Sequence, residues 1–166
     1  TTNLQVIHRS LPPHLRSELV SIDTEAERTL FFDFLPVDIG TIHGYRLRLQ
    51  LYTVPGQTLY RQTRVAVLSG ADGVVFVADA QKERLADNLQ SLRELIHNLT
   101  KQGRRFTEFP LVLQYNKMDL PNALPTPVLD RYLNPMRVPR FEAVAIEGTG
   151  VFETLRAISK LVVNRL

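Results

Sequence analysis

Along residues 45–52, YRLRLQLY, apolar and polar side chains alternate strictly. Tyr45, Leu47, Leu49 and Leu51 fall on one face and Arg46, Arg48 and Gln50 on the other. A two-residue period of this kind predicts a strand with one covered and one wet face. The preceding run, LFFDFLPVDIGTI (30–42), reads as its partner, joined through His43-Gly44 in an antiparallel hairpin. Beyond residue 70 the pattern changes. GVVFVAD (73–79) and FPLVLQYN (109–116) are nearly unbroken apolar runs, as expected of parallel strands buried on both faces. FEAVAI (141–146) reads as a third strand. Leu85, Leu89, Leu92, Ile96 and Leu99 recur at helical spacing over 83–100, and Val151, Leu155, Ile158 and Val162 do so over 150–165. TTNLQVIHR (1–9) reads as a helix with Leu4 and Ile7 on one face, stopped by SLPPHL, where proline breaks the helix and restricts its predecessor. Residues 17–30 are polar without a clear period and are expected to be loop.

Strands alternating with helices predict an α/β fold, a mostly parallel sheet with one antiparallel hairpin and helices on both faces. The 166 residues fit a single domain, 1–166. In such sheets ligands bind in loops beyond the carboxyl ends of strands. Those loops begin near Thr53, Asp79, Asn116 and Ile146.

Composition changes this picture little. Apolar residues make up 44% and charged residues 22%, as in soluble globular chains, and a net charge of +3 is too small to argue for nucleic acid. The basic runs 101–105 and 137–140 read as solvated loops. With no cysteine, disulfides, prenylation and palmitoylation are excluded, which agrees with a reducing compartment. No apolar run approaches the ~20 residues that span a bilayer, and no signal peptide is evident. The Asn98-Leu99-Thr100 sequon is read as coincidental.

The strongest chemical signal is Asn116-Lys117-Met118-Asp119, directly after a predicted strand. A carboxylate such as Asp119 accepts two N–H bonds from the N1 and N2 edge of guanine, a donor pair adenine lacks. Asn116 is placed to tie neighbouring loops and reach the base edge, and the stem of Lys117 to cover the purine face. The plainer reading is a polar strand-to-helix loop.

In position and spacing this stretch resembles the guanine-specificity motif of the Ras-like small GTPases. Gly56-Gln57 resembles the end of their DxxGQ switch II motif, and Val144-Ala145-Ile146 is similar to the weaker third base-binding motif. Within the superfamily, TVPGQTLYRQTR and LQYNKMDLP look most like the MglA branch of bacteria and archaea, where threonine typically replaces the switch II aspartate. A P-loop reads GxxxxGK followed by serine or threonine. Thr1-Thr2 fit its end, so the first strand and the glycine-rich loop fall outside residues 1–166. Either those segments precede Thr1, or the chain is truncated, or it lacks the loop and binds nothing.

The resemblance implies GTP/GDP and Mg²⁺ as ligands. It implies Thr1 and Thr29 as metal ligands, with Thr24 the alternative to Thr29, and a backbone N–H of Thr2 for the α-phosphate. It implies that Gly56 meets the γ-phosphate and that Gln57 orients the attacking water. Arg28, beside Thr29, is placed as an internal arginine finger or else as an exposed switch arginine. Asn116, Lys117, Asp119, Val144, Ala145 and Ile146 would hold the base. Thr53 supplies no charge, so either the metal centre is weakened or another carboxylate compensates. Asp33 is the candidate if the hairpin register permits, and otherwise an ordinary strand-face aspartate. Pro55 fixes the backbone ahead of Gly56.

The expected protein is a switch that slowly hydrolyses GTP. By the resemblance it acts in cell polarity and motility, in the cytoplasm with recruitment to a cell pole. A roadblock-type activator, MglB-like, and effectors would act at the switches and the 32–52 hairpin. The rival is a pseudo-GTPase scaffold, supported by Thr53 and the missing P-loop; Asp119 disfavours an ATP-using enzyme.

Overall fold

The alternation at 45–52 and the helical spacings further on produce the elements they predict. In chain order these are α1 (Thr2–Ser10), β1 (Val20–Ile22), β2 (Phe32–Ile42), β3 (Tyr45–Thr53), α2 (Arg61–Ser69), β4 (Val74–Asp79), α3 (Leu85–Lys101), β5 (Leu111–Asn116), α4 (Thr126–Leu133), β6 (Arg140–Glu142) and α5 (Val151–Val163). The structure, a computed structural model, describes residues 1–22, 32–55 and 60–166. They fall into two units, Thr1–Gly70 and Ala71–Leu166. No helix among the described residues is long and apolar enough to cross a membrane.

In the first unit β1, β2 and β3 form an antiparallel sheet in that order. His43 and Gly44 join β2 to β3 with φ of 51° and 83°. Positive φ at both turn residues gives the twist that a two-residue hairpin favours. Asp33, Leu35 and Val37 are buried on one face of β2. Across from them, in register, stand Thr53, Leu51 and Leu49. Phe34 and Tyr52 pair on the opposite face, ring centroids 4.8 Å apart. α1 packs against β2 and buries Leu4, Val6 and Ile7. Each such side chain contributes roughly 1.5–3 kcal/mol when fully buried. Part of the expected loop 17–30 is instead the strand β1, with Ser21 opposite Asp33. Three residues carry no period of their own; pairing with the edge of β2 is what makes them a strand.

In the second unit β4, β5 and β6 are parallel, with β5 central. Leu113 and Tyr115 of β5 join a core with Leu92 of α3 and Leu129 and Leu133 of α4. Gln114, on the other face, donates to Thr154 Oγ1 of α5 at 3.0 Å. Helices therefore cover both faces of β5. α5 comes so close to the start of β4 that a Cβ on Gly73 would lie 2.7 Å from Val162 Cγ2. Two expectations are corrected. β4 is not buried throughout, since Val77 is 45% exposed. FEAVAI is a strand only to Glu142: the Ala143 N–H makes a last bond to the Tyr115 carbonyl of β5 (2.7 Å), the Val144 N–H turns to Thr149, and Ala145–Glu147 coil into a 3-10 turn.

Candidate functional site

In the second unit chemistry gathers where β4 and β5 end side by side, Asp79 opposite Asn116. Asn116 Oδ1 accepts two backbone N–H bonds, from Lys117 and Ala145, both at 2.9 Å. The amide thereby fastens the 145–147 turn to the β5 loop. Two donors on one oxygen fix which end of the amide is which, and the Nδ2 donor is engaged by nothing among the described residues. Lys117 adopts a left-handed backbone, φ 65°. Its Nζ reaches across to Asp79 Oδ2 at 2.7 Å. Asp79 is itself held. Its carboxylate accepts from the Gln81 N–H and Nε2, and its backbone is gripped on both sides by the Asn88 amide at 2.8 and 3.2 Å. Burial pushes the Asp79 carboxyl up, but Lys117 and the Gln81 donors outweigh it and hold the pKa below 3.8.

Asp119 is exposed, and its carboxylate meets no donor among the described residues. Val144 N–H bonds the Thr149 carbonyl, closing the turn; Ala145 is buried and Ile146 is 74% exposed. Gly150 opens α5 with φ 76° and packs on Glu142 and Ala143 so tightly that only glycine fits.

In the first unit the end of the hairpin forms a knot around Asp33. Oδ2 accepts from Thr1 Oγ1 at 2.7 Å and from Thr53 Oγ1 at 2.8 Å. Oδ1 accepts from Ser21 Oγ at 2.7 Å. Thr2 begins α1 directly after Thr1. Burial of Asp33 pushes its pKa up; the three hydroxyls outweigh that and hold it below 3.8. Arg28, Thr29, Thr24, Gly56 and Gln57 lie outside the described residues.

The sequence profile of the ADP-ribosylation factor family matches residues 31–162. The chain belongs to the Arf/Ras-like small GTPases. It is 49% identical over its full length to the mutual gliding-motility protein MglA of Myxococcus xanthus, covering 85% of that protein. It is 30% identical over 80% of its length to the Ras-related protein Rab7 of Cenchrus ciliaris, covering 66% of it. This small GTPase thus works on guanine nucleotide and hydrolyses GTP.

The residues on hand fit those ligands. Asp119 and the Asn116 amide offer an acceptor pair and a donor at the loops where a base would be read. In the other unit the Thr1 and Thr53 hydroxyls and the Asp33 carboxylate are hard oxygen donors of the kind Mg²⁺ takes, although no cluster of three or more acidic, histidine or cysteine side chains occurs among the described residues. Mg²⁺ needs none, because it keeps waters and shares substrate phosphates. Sequence reasoning did not single out Asp79 or Asn88 by role. It marked the end of β4 as a ligand-bearing loop, but the partners, Asn88 and Lys117, become visible only once strands pair.

Proposed function

We propose that this GTPase is a guanine-nucleotide switch with slow intrinsic hydrolysis, acting in bacterial cell polarity and motility. The observation that carries the reading is the Asn116–Asp119 loop, whose one unengaged carboxylate stands beside an asparagine already fastened to the 145–147 turn. Groups in the second unit read the base. Asp119 accepts from N1 and N2, the Asn116 amide donates to the purine edge, and the Lys117 stem covers a face while Asp79 holds its tip. The Ala145 N–H, engaged by Asn116, reaches a base only if that bond loosens.

Groups in the first unit and the switches answer the phosphates. Gly56 meets the γ-phosphate, Gln57 orients the attacking water, and Arg28 spreads the developing charge. Thr1 and Thr29 are assigned to Mg²⁺, which when bound neutralises phosphate charge, and the Thr2 N–H to the α-phosphate. The close relationship to a gliding-motility protein supports the cellular role. On the same ground we assign it a roadblock-type, MglB-like activator, effectors at the switches and the 32–52 hairpin, and a cytoplasmic location with recruitment to a pole. A scaffold without turnover is favoured only by the neutral Thr53.

Single-turnover hydrolysis separates these. Gln57→Leu should slow hydrolysis by about 10²-fold, the cost of a misplaced nucleophile. Arg28→Ala should slow it by ~10³-fold, as for an arginine finger. Nucleotide affinity should stay close to wild type in both. Equal rates in wild type and both variants would remove the roles given to Gln57 and Arg28, and no phosphate release by the wild type would leave the scaffold.

A further inference from the structure

We infer that the turn end of the β2–β3 hairpin carries an anion site, a cavity whose arginines take a phosphoryl group. The inference goes beyond the switch reading and does not depend on it. The cavity encloses about 400 Å³ between residues 14–17 and the hairpin. It lies at the opposite end of β2 from the Asp33 knot. His14, Arg16, Ser17, Arg46 and Arg48 line it, and Asp38 is the one carboxylate among the described residues that does so. The three arginines are scattered along the chain, so neither basic run of the sequence marks them.

The backbone sets these groups in place before any ligand arrives. Pro12 and Pro13 restrict the turn after α1. The Ser17 N–H then bonds the Pro36 carbonyl at 3.1 Å, and Arg16 bridges Val37. Residues 16–17 thus run along one side of β2, while Arg48 stands opposite Asp38 on the other. Asp38 is already committed. Its Oδ1 accepts from the Gly40 N–H at 2.9 Å and its Oδ2 from Arg46 Nε at 2.8 Å. Among the described residues, Arg48 donates to the neutral Ser17 hydroxyl, and the half-buried Arg16 guanidinium meets no acceptor. Three guanidiniums therefore share one carboxylate. Like charges gathered around one cavity repel, so an entering anion is stabilised. Arginine forks match phosphate oxygens in pairs, and Ser17 Oγ, accepting from Arg48, still has its own proton to donate. An acidic protein segment calls for cations spaced along a groove. Here they converge on one cavity, which favours a single phosphoryl group. Its source is a soluble phosphate ester or a lipid headgroup. Tyr45, 74% exposed next to the turn, suits the polar boundary of a bilayer in the second case.

The test uses the full-length protein loaded with GDP and Mg²⁺, so that the nucleotide's own phosphate contacts are filled. Inorganic phosphate is titrated while the arginine Nε–H signals are followed by NMR. Pelleting is measured with vesicles of phosphatidylcholine alone and of four parts phosphatidylcholine to one part phosphatidic acid. The Arg16 and Arg48 signals should move saturably with phosphate. Arg16→Gln and Arg48→Gln should each weaken binding about tenfold, the loss of one charge-assisted bond. Arg48→Lys, which keeps the charge without the fork, should lose most of the same. Arg137→Gln, which removes a charge elsewhere, should change nothing. Capture of the wild type but not of the two glutamine variants by phosphatidic acid vesicles would support a lipid headgroup. Phosphate binding at the same residues without capture would support a soluble phosphate ester. Losses in Arg16→Gln and Arg48→Gln no larger than in Arg137→Gln would mean a diffuse field or an adventitious ion only, and would overturn the inference. Unmoved Arg16 and Arg48 signals would overturn it too, as would tighter binding of a polyglutamate peptide than of either phosphate probe. A chain that took up no GDP would count against the switch reading alone, and the comparison of variants stands without nucleotide.

Discussion

At the scale of single residues the site is a matter of which oxygens carry charge. Asp119 is the proposed base reader. Changing it to asparagine replaces a double acceptor with one acceptor and one donor, a pattern that suits xanthine. Two charge-assisted bonds of about 1.5 kcal/mol each correspond to roughly 100-fold. Competition binding should show Asp119→Asn losing about that much GDP affinity while gaining xanthosine diphosphate. Asp33 carries a pH signature. Its folded pKa lies below the ordinary 3.8, so its stabilising contribution is complete above the unfolded value and is lost as pH falls through the folded one. Thermal midpoints should be nearly flat from neutrality to about pH 5 and then fall below about pH 4. In Asp33→Asn the acid-side fall should be shallower, with Asp79 and Asp38, also lowered, contributing to the remainder. An unchanged acid slope would contradict this. Asp33 could be named from the sequence but not chosen, because its partners Thr1, Ser21 and Thr53 lie 32, 12 and 20 residues away and meet only through strand register.

At the scale of elements, what the sequence shows depends on where the information sits. The β2–β3 hairpin is legible because its own alternation and its His43-Gly44 turn specify it. β5 and its Asn116–Asp119 loop are legible because an apolar run ends at a polar cluster. β1 is not, since its strand character comes from β2. The end of β6 is not legible either, because after Ala143 bonds Tyr115 the Val144 N–H turns to the Thr149 carbonyl, a contact the apolar run 143–146 does not announce. Gly150 tests this corner. A Cβ there would sit 2.2 Å from the Glu142 carbonyl oxygen at a φ of 76°. Gly150→Ala should cost at least about 1–3 kcal/mol from the backbone strain alone, read as a lowered urea midpoint. Because the same corner carries the 145–147 turn, GDP release should quicken in parallel; a stable variant with normal release would detach this corner from the site.

For the whole molecule the claim is a switch: a guanine nucleotide bound, GTP turned over, and partners reading the difference. Family membership carries the hydrolysis, while the Asn116–Asp119 loop and the Asp33 knot supply its physical detail. The most direct measurement is single-turnover phosphate release from GTP by the purified full-length protein, with ATP alongside. The account predicts conversion of bound GTP to GDP and phosphate, slow when unaided, with no turnover of ATP. Stable binding of GTP without phosphate release under the same conditions, with or without an activating partner, would contradict it.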